Sequence, residues 1–362
     1  MKTSSIFKVI YWIIGPIVCL LGLAYIYIAS QKPVFEQKLW AAIKEDDVEK
    51  IRFYEKLGAD WTAEVAGYQN YRIMDWITEC GASKSYEYFK KRGLDHDKTG
   101  RNGLKPVFHA TKLKQETFAI HLLKNGAKQT FNYRGTDPYT QMDYDFGEIH
   151  LLHFAAENGA AKVCRWLVEQ GIDVDLENEM KMTPLAYAGL LGNNEAAEVL
   201  IEHEADVNHY STPLKFAIYR KDPELTKILL EAGANPNSVE DGFHAICSWP
   251  DTKSSNFYTI FPDYGDMKPW MAHPLTMAAY YQQTEIVGQL IQHGVSLNFQ
   301  TAEKKNSALH LAAYKDNLEM VKILLEAGVD TELMNTRNLT AKSIALSRRN
   351  KKIADLIEQH RM

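Results

Sequence analysis

A segment of about 26 residues recurs along this chain and fixes what it can fold into. Residues 183–208 read TPLAYAGLLGNNEAAEVLIEHEADVN, and residues 212–237 read TPLKFAIYRKDPELTKILLEAGANPN. Residues 273–298 read HPLTMAAYYQQTEIVGQLIQHGVSLN, and residues 307–332 read SALHLAAYKDNLEMVKILLEAGVDTE. A fifth copy, at 150–175, reads HLLHFAAENGAAKVCRWLVEQGIDVD. Each copy holds two short apolar runs at helical spacing, separated by a polar turn. Proline at the first helical turn is pre-set in φ and sacrifices no hydrogen bond. Thr183 and Thr212 are placed to cap that helix. Leu and Ala line one stripe of the first helix, and small alanines let paired helices approach closely. Val199, Leu200 and Ile201, or Ile228, Leu229 and Leu230, supply the second helix. Gly171, Gly233, Gly294 and Gly328 follow it, where a left-handed residue is wanted. One such pair cannot bury its own faces, so neighbours must stack in a line with polar ends.

The spacing T-P-L-H-x-A-A, a polar turn, a leucine-rich helix and G-A-x-x-N resembles the ankyrin repeat. Weaker copies extend it to KPVFHATKLKQETFAIHLLKNGAKQTF at 105–131, a divergent unit at 73–95, LWAAIKEDDVEKIRFYEKLGAD at 39–60 and TAKSIALSRRNKKIADLIEQHR at 340–361. The resemblance implies an all-α repeat solenoid of helix-turn-helix units with β-hairpin or loop fingers, about nine units over 37–361, the first two divergent. It also implies a protein that binds other proteins through finger tips and first helices, with no enzyme activity and no cofactor. Charged residues mark both ends: Lys44, Glu45, Asp46, Asp47, Glu49 and Lys50 in the first unit, and Arg348, Arg349, Lys351 and Lys352 in the last. Both read as solvated capping faces.

The deviations from the period carry the functional information. Successive units step by 33 residues from Leu151 to Pro184, 29 to Pro213, 61 to Pro274, 34 to Ala308 and 33 to Ala341, with 45 from Pro106 to Leu151. Relative to a period of 33, this gives insertions of 12 and 28 residues and a deletion of 4. All three fall in the finger segment, so long fingers at 134–148 and 238–272 flank a clipped one near 206–211. The first long finger carries Tyr139, Asp143, Tyr144, Asp145 and Phe146 with Asp137 and Glu148. The second carries Phe243, Trp249, Phe257, Tyr258, Phe261, Tyr264 and Trp270. Each has a net charge of −3. Rings with carboxylates suit a protein partner with a basic surface, through cation–π contact and charge pairing. The alternative is that these rings pack the loops back onto the helices, since a loop of such length without packing of its own is unusual.

No charged residue lies between Lys8 and Lys32, and residues 9–31 read VIYWIIGPIVCLLGLAYIYIASQ. About 20 apolar residues of helix cross a bilayer core, so this run is expected to be a single transmembrane anchor. Residues 1–8 then form a short tail, 32–36 a linker and 37–361 the repeat domain. Tyr11, Trp12, Tyr25 and Tyr27 suit the two interfaces. The alternative is a signal peptide cleaved after Ser30, though its apolar region exceeds the usual length of about 7–15 residues. Flanking lysines are nearly balanced, and a short N-terminal tail favours an inner or cell membrane location with the repeats extracytoplasmic. The anchor, the repeats and the small size together resemble bacterial membrane-anchored ankyrin-repeat proteins. That resemblance implies either an immunity protein that neutralises a toxin or a scaffold that supports a periplasmic enzyme.

The net charge of −5 argues against bulk nucleic-acid binding. Removing the three lysines of residues 1–32, which hold no acid, takes it to −8 for the remainder. Cys19, Cys80, Cys164 and Cys247 show no zinc-ligand spacing. His150, His153 and Glu157 invite a metal reading, but His153 and His310 occupy the T-P-L-H histidine position, which in ankyrin repeats bonds the turn backbone. No nucleophile elbow, phosphate-cradling loop or dinucleotide fingerprint occurs.

Overall fold

The computed structural model describes residues 31–61, 73–100, 102–136, 143–178, 181–209, 213–239, 273–302 and 304–360, with side chains left aside at 132–136 and 143–147. The anchor expected at 9–31 lies outside these residues, apart from Gln31. Among the described residues no helix is long and apolar enough to cross a membrane. The chain divides into two compact units, 1–129 and 130–362.

The first unit holds three helix pairs: α1 Lys32–Lys44 with α2 Val48–Lys56, α3 Ile73–Cys80 with α4 Ser83–Lys90, and α5 Pro106–Lys112 with α6 Glu116–Lys124. α1 starts at Lys32 with Pro33 in its first turn, so residues 32–36, expected as a linker, are helical. The first helices α1, α3 and α5 pack in succession. Polar contacts tie neighbouring pairs. Asp46 accepts from Ser85 N–H at 2.7 Å and Lys84 N–H at 3.1 Å, and Trp76 Nε1 donates to Trp40 O at 2.9 Å. Tyr86, Phe89 and Phe118 fill its core.

The second unit opens with a β-hairpin, β1 Thr130–Thr136 and β2 Asp143–His150. Six helix pairs follow: α7 Leu151–Glu157 with α8 Ala161–Glu169, α9 Pro184–Leu191 with α10 Asn194–Glu202, α11 Pro213–Arg220 with α12 Pro223–Glu231, α13 Pro274–Tyr280 with α14 Thr284–Gln292, α15 Ala308–Tyr314 with α16 Leu318–Glu326, and α17 Ala341–Ser347 with α18 Lys351–Gln359. The odd-numbered helices α7 to α17 stack on one another, as do the even-numbered helices α8 to α18. Of the residues read as supplying the helices, Leu185, Ala186, Val199, Leu200, Leu229 and Leu230 are buried, while Ile201 and Ile228 are half-buried. Each such leucine contributes about 2 kcal/mol. Thr183 caps α9 by accepting from Ala186 N–H. Gly171, Gly233, Gly294 and Gly328 have φ of 88°, 91°, 77° and 84°, as helix-closing residues require.

The G-A-x-x-N tail of each unit builds a polar ladder between units. Asp175, Asn208, Asn237 and Asn298 accept through their side chains from Asp206 N–H (3.0 Å), Asn235 N–H (2.7 Å), Ser296 N–H (2.6 Å) and Asp330 N–H (2.9 Å). Asn208 and Asn237 also donate to Gly233 O at 3.0 Å and Gly294 O at 3.2 Å. The rung between Asn237 and Ser296 spans the 61-residue step. Gln283 Nε2 adds a bond to Ile218 O at 2.7 Å. The pairs on either side of the long insertion therefore stack like all the others.

Candidate functional site

The fingers after α14 and α16 close as tight turns. Thr301 N–H donates to Asn306 O at 3.0 Å and Asn335 N–H to Leu339 O at 3.1 Å, with Lys305 and Asn338 left-handed at the turns. The two fingers are cross-linked. Thr336 N–H donates to Lys304 O at 3.0 Å, and Asn335 Nδ2 to Asn306 Oδ1 at 3.1 Å. Gln300 Nε2 donates to both Lys305 O (2.8 Å) and Met334 O (2.9 Å). His310, 1 % exposed, anchors α15 beneath them. Its Nδ1 lies 2.8 Å from Ser307 Oγ and accepts from Ser307 N–H at 3.2 Å, while Nε2 donates to Leu339 O at 3.1 Å. This geometry selects the neutral Nε2–H tautomer, and burial lowers the His310 pKa. His153 makes the same turn contact, with Nε2 donating to Met182 O at 3.1 Å. Among the described residues no group of three or more His, Cys, Asp or Glu is placed to hold a metal ion.

Between these fingers and helices α13, α15 and α17 lies a groove of about 890 Å³. Leu311 and Ile344 form its apolar floor. Tyr280 and Tyr314 rise from successive first helices at the same helical position, and Tyr314 is 54 % exposed. Each tyrosine has a cation over its face. Lys315 Nζ lies 4.6 Å from the Tyr280 centroid and the Arg348 guanidinium 4.8 Å from that of Tyr314. Arg348 also donates to Asp316 Oδ2 through Nε (3.0 Å) and Nη2 (2.8 Å), which holds the Asp316 carboxyl below its ordinary range. Lys304 and Arg337 line the groove from the fingers. The pattern extends to the preceding units, where Lys221 lies 5.7 Å over Tyr281, and Tyr219 meets Tyr281 edge to face at 6.0 Å.

Of the residues singled out by sequence, Tyr139, Phe243, Trp249, Phe257, Tyr258, Tyr264 and Trp270 lie outside the described residues. Asp143, Tyr144, Asp145 and Phe146 lie on β2, which pairs antiparallel with β1, so the paired strands begin at Thr130, ahead of the 134–148 segment read as inserted. Its register pairs Arg134 with Asp145, Gly135 with Tyr144 and Thr136 with Asp143. Phe146 and Gly147 together oppose the single Tyr133, which makes a bulge. Arg348, read as part of a solvated cap, is a groove residue instead. The tyrosines and cations of the groove carry no signal within any single repeat. Aligning the copies shows them: Tyr219, Tyr280 and Tyr314 share one column, and Arg220, Tyr281, Lys315 and Arg348 the next.

A family model described as ankyrin repeats matches residues 152–240 and 270–360. These segments are ankyrin repeats. The ankyrin solenoid as a fold is also supported by the crystal structure of the human ASB11 ankyrin repeat domain. That structure superposes with a TM-score of 0.51 at 20% identity, over 70% of this chain and 98% of that one. The E3 ubiquitin-protein ligase KEG of Arabidopsis thaliana is 25% identical over 54% of this chain and 16% of its own length. Palmitoyltransferase ZDHHC17 of Danio rerio is 24% identical over 68% of this chain and 40% of its own length. A putative ankyrin repeat protein of fowlpox virus, FPV014, is 32% identical over 29% of this chain and 25% of its own length. The chain thus spans less than half the length of each of these three relatives. These relatives are plant, vertebrate and viral, and they lend no support to the resemblance to bacterial anchored proteins.

Proposed function

We propose that this chain is a protein-binding module held at a membrane by residues 9–31, with its ankyrin array on the extracytoplasmic side. The observation that carries the binding role is the groove over α13, α15 and α17. Its fingers are locked to each other by three hydrogen bonds, and its exposed tyrosine stands on a buried scaffold. Function concentrates on loops carried by such rigid frames. Aromatic side chains serve as interface anchors because they bury large area at low entropic cost. The anchor reading is supported by the uncharged run between Lys8 and Lys32. In a narrower form, the acidic aromatic fingers at 134–148 and 238–272 grip a basic partner, as a toxin-neutralising protein would. Their net charge of −3 each supports it.

The test is capture of a partner from detergent-solubilised membranes by the full chain and by a Trp249→Ala, Tyr258→Ala, Trp270→Ala variant, after alkaline extraction has shown whether the chain stays with the lipid. Loss of a stoichiometric partner at unchanged helical content and melting supports the finger reading. Unchanged capture removes the fingers from the interface, and release by alkali removes the anchor.

A further inference from the structure

The groove is an electrostatic anomaly in this chain. The whole sequence carries a net charge of −5, yet the described residues lining the groove include Lys304, Lys315, Arg337 and Arg348 and, among them, not one carboxylate. Asp316, next to Lys315 in sequence, is already committed to Arg348 and to Asn350 Nδ2 at 3.2 Å. Lys304, Lys315 and Arg337 have no ion-pair partner among the described residues. Three cations are therefore gathered around a groove in which no described residue offers them a counter-charge. Repulsion among them works against folding, so the arrangement serves something outside the fold. Between the cations lie the exposed ring of Tyr314 and the floor of Leu311 and Ile344. The surface thus alternates charge with apolar area along the direction in which the repeats stack.

We infer that this groove receives an extended acidic polypeptide segment of a partner protein. Its carboxylates meet Lys304, Lys315 and Arg337, and its apolar side chains rest on Tyr314, Leu311 and Ile344. The inference deepens the binding-module reading and rests on it. It assigns the groove a partner surface of opposite sign to the one the fingers suit. A polypeptide fits better than a nucleic acid. Few cations are available to release counterions from a phosphate backbone. Leu311 and Ile344 give an apolar side chain somewhere to sit, which a sugar-phosphate backbone does not exploit.

The probe is a fluorescein-labelled (Glu-Leu-Pro)4 peptide, kept extended by its prolines, titrated with the full chain in nonionic detergent and read by anisotropy. A (Lys-Leu-Pro)4 peptide is the control. The expected result is saturable binding of the acidic peptide, at least tenfold tighter than the basic one and several-fold weaker when salt rises from about 50 to about 300 mM. The Lys304→Glu, Lys315→Glu, Arg337→Glu variant is expected to lose at least tenfold in affinity. Because Lys315 also covers Tyr280, the milder Lys304→Gln, Arg337→Gln variant guards against misfolding and is expected to lose at least threefold with an unchanged circular dichroism spectrum and melt. Equal binding by the variants, preference for the basic peptide, no saturation, or displacement by oligo(dT) at lower concentration than by unlabelled acidic peptide would each overturn the inference. Capture of the membrane partner separates the two levels. If the charge-reversed chain captures it as before, the groove assignment falls and the module reading stands. If the unaltered chain captures nothing, the module reading itself falls.

Discussion

Replacing His273 by threonine should stabilise the protein, and by an amount that grows as pH falls. His273 stands at the position where Thr183, Ser307 and Thr340 cap their helices, but it makes no side-chain cap bond to α13. It is 1 % exposed and stacked on Phe299 with ring centroids 4.1 Å apart. Neither ring nitrogen has a hydrogen-bond partner among the described residues. Burial, and then the charge of Lys215, push its pKa from 6.5 down to about 4. The imidazole is therefore neutral in the folded chain at pH values where it is protonated in the unfolded one. A depressed pKa of this kind leaves stability intact above about 6.5, and stability is lost as pH falls from there through about 4. The loss from this one side chain reaches about 2 kcal/mol at pH 5 and about 3 kcal/mol below pH 4. Threonine does not titrate, so it removes that loss. At pH 7.5 it adds a cap of about 1 kcal/mol and relieves an unsatisfied ring N–H, against the lost stacking of about 1 kcal/mol. Urea titrations of both proteins at pH 7.5 and 5.0, followed by circular dichroism, give the difference. His150, which burial also depresses to about 4, is common to both and cancels. The reasoning is refuted if the stability gap between variant and parent is the same at both pH values.

Three further substitutions check the local physics. Ser307→Ala removes the capping box on α15 and takes the hydroxyl from His310 Nδ1. It should cost about 1–2 kcal/mol in urea denaturation, whereas a loss below about 0.3 kcal/mol would mean the box is idle. Gly159→Ala and Gly171→Ala form a matched pair, both left-handed, with φ of 65° and 88°. A Cβ at Gly171 meets nothing, while at Gly159 it comes within 2.7 Å of Asn193 Oδ1, whose amide bonds Ala156 O and Glu157 O. Both should lose the roughly 1 kcal/mol of left-handed strain. Gly159→Ala should lose about 1 kcal/mol more for the displaced amide, and equal melting temperatures would contradict that.

The helices were legible because burial in this architecture repeats. Leu185, Leu214, Leu275 and Leu309 recur at one offset and are all within 4 % of full burial. A buried column survives any surface variation. The groove was not legible in the same way. Its tyrosines sit at helix ends, where an exposed aromatic looks like any surface residue until the copies are laid under one another. Its cations come from unlike places: Lys304 and Arg337 from turns, Lys315 and Arg348 from helix ends. The basic run that holds Arg348 has the signature of a cap, as such a run at the end of a stacked array ordinarily does. Only the geometry shows it reaching back to Tyr314 and Asp316. The hairpin was underestimated because the bulge at Phe146 and Gly147 breaks the alternation that marks a strand.

The Asn237–Ser296 rung has a consequence for how this chain can change. The bond holds two units in register across an interval nearly twice the regular one. Fold integrity is therefore decided by short-range matching at the ladder, and the length of what lies between is almost irrelevant to it. Lengthening a flexible loop costs only about 0.6 kcal/mol per doubling. Between Asn237 and His273 sequence can therefore be grafted, trimmed or diversified without disturbing that register. Meanwhile the neighbouring repeats keep a fixed register against which any new insert is displayed.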